Sequence, residues 1–128
     1  MLEVMKDFIL DLEDRPHGLA AFAEVMARAG LNIEGLCGFF AEGRALHHVL
    51  VEDVEPAIEA LADAGFEVFG PRDVLVVDVE NRPGALAEIT RAVADARTEI
   101  DLIYVANGDR LVLGVDDLER ARAAAGGA

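Results

Sequence analysis

The 128-residue sequence predicts an α+β protein made of two copies of one unit, each ordered strand–helix–strand–strand–helix–strand. Three observations predict it. Residues 11–22, DLEDRPHGLAAF, recur as DVENRPGALAEI at 78–89, 67 positions later and without a gap. A second block, HHVLVEDVEPA at 47–57, matches LVLGVDDLERA at 111–121, offset by 64. Within each copy, apolar residues change from a period of two to a helical period and back.

Each element has its own signal. Phe8, Leu10 and Leu12 share one side of a strand whose other side carries Ile9 and Asp11. Leu75, Val77 and Val79 repeat that side, and Val76 and Asp78 the reverse. Asp14-Arg15-Pro16 and Asn81-Arg82-Pro83 come next. Asp or Asn caps a helix start, and proline loses nothing in the first turn. Leu19, Phe22, Ala23 and Met26 then recur at helical spacing, as do Leu86, Ile89, Thr90 and Val93. Gly30 suits a helix stop, and Arg97 holds that position in the second copy.

Second strands are expected at about 32–40 and 100–106, followed by hairpin turns at 41–44 and 107–110, where Asn107-Gly108 is a strong turn signal. Third strands follow at 45–51 and 111–115, and second helices at about 54–64 and 118–125. Phe66-Glu67-Val68-Phe69 reads as a fourth strand, and Gly70-Pro71 as the junction between units 1–70 and 71–128. The order βαββαβ is the ferredoxin-like unit, here in tandem. The second unit lacks a clear final strand, since only Gly126-Gly127-Ala128 follows its last helix. Either its sheet is one strand short or another segment, such as residues 2–5, fills the edge.

Composition narrows the function classes. A hydrophobic fraction of 53% with 28% charged residues excludes disorder. No apolar run approaches the ~20 residues of a membrane span, and the first residues lack the pattern of a secretory signal. The single cysteine, Cys37, forms no internal disulfide and fits a reducing cytoplasm. Eleven basic against 25 acidic residues give a net charge of −14, which repels nucleic acid and anionic membranes alike. Ten of the basic residues are arginines, in keeping with a bacterial, GC-rich coding bias.

The second copy, VLVVDVENRPGALAEITRAVADARTEIDLIYVANGDRLVLGVDDLERA, resembles an ACT domain, the small-molecule-binding regulatory module of amino-acid metabolism. The first copy, FILDLEDRPHGLAAFAEVMARAGLNIEGL, is similar to the same motif. The resemblance implies an amino-acid site at the strand–helix turns, between two ACT units. It places that site on Asp14, His17, Gly18 and Leu19 in the first turn, on Asn81, Gly84, Ala85 and Leu86 in the second, and on Asn32. Helix-start N–H groups attract a carboxylate, and a glycine allows close approach. Neither copy carries the whole set: the first has Asp14 for the turn Asn and His17 for the turn Gly, and the second has Glu99 where the first has Asn32. A shared site would pair Asn81 and Gly84 with Asn32, leaving Asp14 and Glu99 for its pseudo-symmetric counterpart.

The resemblance further implies a regulatory partner, such as a metabolic enzyme; no cofactor is expected. No catalytic domain accompanies the repeat, so a stand-alone binding protein is the expectation. Exposed sheet edges predict a homo-oligomer. The alternative is a small enzyme that reuses the fold, with His17, His47 or Cys37 in acid–base or nucleophilic roles, and a third reading is a purely structural subunit. His47 and His48 point to opposite faces of their strand, and Cys37 lies on the neighbouring strand. No CxxC or HExxH spacing marks a metal site.

Overall fold

The strand that is legible at Phe8–Leu12 extends back toward the N-terminus, giving a ten-residue β1, Leu2–Asp11. The computed structural model describes residues 2–12 and 17–127. After β1 come α1 (Gly18–Arg28), β2 (Gly35–Ala41), β3 (Arg44–Val51), α2 (Val54–Asp63) and β4 (Val68–Asp78). The pattern repeats with α3 (Ala85–Asp95), β5 (Ile100–Ala106), β6 (Arg110–Val115) and α4 (Leu118–Gly126). The strands form one sheet in the order β2-β3-β1-β4-β6-β5, and the βαββαβ order is that of the ferredoxin-like fold.

Two units are distinguishable, one of Lys6–Arg72 and one of Asp73–Ala128 together with Met1–Met5. In the Lys6–Arg72 unit, β3 pairs antiparallel with both β1 and β2. Its core is Phe8, Leu10 and Leu12 from β1, Val49 and Val51 from β3, Phe22, Val25 and Met26 from α1, and Ala57 and Leu61 from α2. In the other unit, β6 pairs antiparallel with β4 and β5. Leu75, Val77, Leu111, Leu113 and Val115 pack there against Ile89 and Val93 of α3 and Ala121 and Ala125 of α4. Asp53 and Asp117 cap α2 and α4 by accepting from backbone N–H groups.

Of the two ways to complete the second unit, the structure takes the second. β1 neighbours β4, and Leu2–Met5 belong with Asp73–Ala128, where Leu2 packs against the core and Met5 is buried. Arg110 secures the segment, donating to Glu3 Oε1 at 3.4 Å and to Met5 Sδ at 3.5 Å.

Gly70-Pro71, expected at the junction between the units, lies inside β4, with Gly70 at φ +52° and the boundary between the units at Arg72–Asp73. The β6 ladder begins only at Leu75, so the missing N–H of Pro71 leaves no partner on that side unpaired. The second strand begins at Gly35, not at Asn32, because Leu31 and Ile33 leave the helix to pack against the core before the ladder starts. Asp11 is half-buried and accepts from Arg44 Nε at 3.0 Å and from the Ala45 N–H at 3.2 Å. Arg97 ends α3 as Gly30 ends α1, taking φ +58° where the glycine takes +70°.

Candidate functional site

The second repeat turn borders a concavity. β4 ends at Asp78, and the chain passes through Glu80-Asn81-Arg82-Pro83 to Gly84, the N-cap of α3. Gly84 has φ +92°, a left-handed conformation that disfavours any side chain. This explains a glycine at that point of the turn without reference to a ligand. No side chain caps α3; the Ala85 N–H donates to the Arg82 carbonyl at 3.3 Å, and the next N–H groups are those of a helix N-terminus.

Beside this turn lies a cavity of about 470 Å³. Its apolar wall is Leu2, Val77, Val79, Ala85, Ile89 and Ala125, the open end of the unit's own core. Its polar rim carries Asp78, Glu80, Arg82, Glu88 and Arg122. Arg82 is committed within the protein: Nε donates to Glu80 Oε2 at 2.9 Å and a terminal nitrogen to Glu88 Oε2 at 2.6 Å. These bonds, that to Glu88 foremost, raise the guanidinium pKa above its ordinary value. Arg122, exposed on α4, brings a second positive charge to the rim.

The residues expected to bind ligand are dispersed. Ala85 is buried in the cavity wall, whereas Asn81 and Leu86 are exposed and outside its lining. In the first turn His17 is the exposed N-cap of α1 and makes no capping bond, Gly18 is buried, and Leu19 is exposed. Asp14 lies outside the described residues. Asn32 lines a smaller cavity of about 250 Å³ with Gly30, Leu31, Glu34, Val51, Glu52 and Asp53, and its Nδ2 donates to Glu34 at 2.6 Å. Arg122 lies about 40 positions beyond the turn, on a helix defined only by its apolar face, so no turn motif includes it. Among the described residues, no group of three or more His, Cys, Asp or Glu side chains is arranged to hold a metal ion.

Cys37 and His48 do meet across a ladder. They are directly paired between β2 and β3, and His48 Nδ1 lies 3.0 Å from Oδ1 of the buried Asp7. His47 points to the other face, above Gly38.

No protein-family model matches the chain, and no curated protein matches its sequence. Solved structures do resemble it. Protein BT0572 from Bacteroides thetaiotaomicron is 25% identical, with a TM-score of 0.84 over 96% of this chain and 87% of that one. The regulatory subunit of aspartate kinase from Thermus thermophilus, in its ligand-free form, is 20% identical, with a TM-score of 0.70 over 97% and 90%. The same subunit from Thermus flavus is 20% identical, with a TM-score of 0.68 over 99% and 94%. The chain therefore has the fold of these regulatory subunits, an ACT-like fold.

Proposed function

We propose that the protein is a regulatory module that binds an amino acid in the cavity beside the Asp78–Gly84 turn. The observation that carries this reading is the pairing of both charge signs with an apolar wall in one cavity of about 470 Å³. A zwitterion has matching needs. Its carboxylate suits Arg122 and the N–H groups at the start of α3. Its ammonium group suits the carboxylates of Asp78 and Glu80, which only accept. Its side chain then lies against Val77, Ile89 and Ala125.

A regulatory role is supported by the likeness to regulatory subunits of aspartate kinase, and the partner is an enzyme of amino-acid metabolism. Occupancy must favour one conformation over another to be transmitted. Leu2 provides a route, because it lines the cavity and opens β1, a strand that continues to Asp11 in the other unit.

The test is a thermal-shift screen against the common amino acids at millimolar concentration, followed by calorimetry. A ligand at about 100 times its Kd stabilises the fold by roughly 2.7 kcal/mol. One amino acid is expected to raise Tm by several degrees, and Arg122→Ala to abolish the rise. A rise that survives Arg122→Ala and is lost in Asn32→Ala would move the site to the smaller cavity. No rise with any amino acid would overturn the reading.

A further inference from the structure

We propose that Cys37 is a reactive-thiol modification site, activated by His48 and Asp7, that exchanges with low-molecular-weight disulfides. Three adjacent strands place these residues on one face of the Lys6–Arg72 unit. Cys37 on β2 is the direct cross-strand partner of His48 on β3, so both side chains leave the same face of the sheet. His48 in turn stands opposite Ile9 of β1, and Asp7, two residues away on the same face, reaches its ring.

The hydrogen bond fixes the chemistry of the imidazole. A carboxylate oxygen only accepts, so Nδ1 donates to Asp7 and the lone pair of the neutral ring resides on Nε2. Cys37 is the cross-strand neighbour of His48 on β2, the strand that flanks β3 on the side away from β1. A histidine oriented by a buried carboxylate takes a proton from a nucleophile that reaches its free ring nitrogen.

The internal repeat shows that packing does not require it. By the offsets of 67 and 64, the positions of Asp7, Cys37 and His48 correspond to Val74, Tyr104 and Val112, and Tyr104 pairs with Val112 as Cys37 pairs with His48. All three counterparts are buried. The same fold position thus tolerates valines, whereas the first unit buries a carboxylate fully, which is costly without a purpose for its charge. Cys37 itself is partly exposed on β2, an edge strand, so a small reagent reaches it.

In the exchange, Nε2 of His48 takes the thiol proton and the Cys37 thiolate attacks one sulfur of the disulfide R–S–S–R. A Cys37–S–S–R bond forms as the reagent's S–S bond breaks. The departing thiolate takes the proton back from the imidazolium, giving R–SH. The thiol is oxidised and half of the reagent reduced, with no other reactant.

The probe is 2,2′-dipyridyl disulfide at neutral pH, which releases pyridine-2-thione. Cys37 is the single cysteine, so all thione released reports on it, and Cys37→Ser provides the blank. Native protein is expected to react at least about tenfold faster than the same chain in guanidinium chloride, and His48→Gln at least about tenfold slower than native wild type. Imidazole added to His48→Gly should restore part of the rate, which a structural role would not produce. For Asp7, a positioning residue, Asp7→Asn should remove the downfield Nδ1–H proton resonance of His48 together with the acceleration. A native rate no faster than the unfolded rate would overturn the proposal, and that comparison stands even if a variant fails to fold. A folded His48→Gln that reacts as fast as wild type would overturn it as well.

Discussion

The imidazole of His47 covers the α-carbon of Gly38, its direct partner across the β2–β3 ladder, and fills the space where any side chain at position 38 would begin. A methyl group placed there would overlap the ring at Cδ2 and Nε2. Gly38→Ala must therefore displace His47, whose Nδ1 sits 3.2 Å from the Ala45 carbonyl. The expected cost is about 1–3 kcal/mol, as for other overpacked positions. Gly38→Ala combined with His47→Ala should regain most of it, and chemical denaturation of the three variants checks the coupling.

The ends of α1 and α3 provide a matched pair. Gly30 and Arg97 occupy the same repeat position and both take positive φ, but only the glycine does so without strain. A Cβ on Gly30 would meet nothing within 4 Å, so the backbone alone decides the outcome there. Gly30→Ala should lower stability by about 1 kcal/mol, and Arg97→Gly should raise it by about 1 kcal/mol. Equal effects of the same sign in urea melts would contradict this account.

The repeat offsets and the period changes were enough to read the βαββαβ order from sequence, because local alternation and helix caps act over a few residues. What escaped was non-local. Residues 2–5 show little alternation, and their place beside β4 depends on pairing with a segment some 70 positions away. Asp7 stands beside Lys6 in the sequence, and only the register of β1 on β3 brings it to His48. The turn motif led to Asn81, which is exposed, whereas the cavity recruits Arg122 from the last helix.

The completing strand makes its own prediction. Met5 is buried and receives a contact from Arg110, although its sequence neighbours from Lys6 onward belong to the other unit. Met5→Ala should destabilise the protein by about 2–5 kcal/mol. Amide exchange should rise first in β4 from Asp73 to Asp78 and in β6, not in β2 and β3. Uniform loss of protection would show that Leu2–Met5 does not act as the fourth strand of that unit.

Thr98 offers a gain. Its hydroxyl is buried and, among the described residues, has no hydrogen-bond partner, on a side chain only 6% exposed. A buried hydroxyl without a partner carries a desolvation penalty of about 1–3 kcal/mol, and a methyl group of similar size carries none. Thr98→Val keeps the branched shape and should raise Tm, with a stability gain of about 1 kcal/mol by chemical denaturation. Thr98→Ser keeps the hydroxyl and removes the methyl, so it should do the opposite. If valine destabilised the protein as much as serine does, the Thr98 hydroxyl would have to be satisfied in solution, and the penalty assigned to it would be absent.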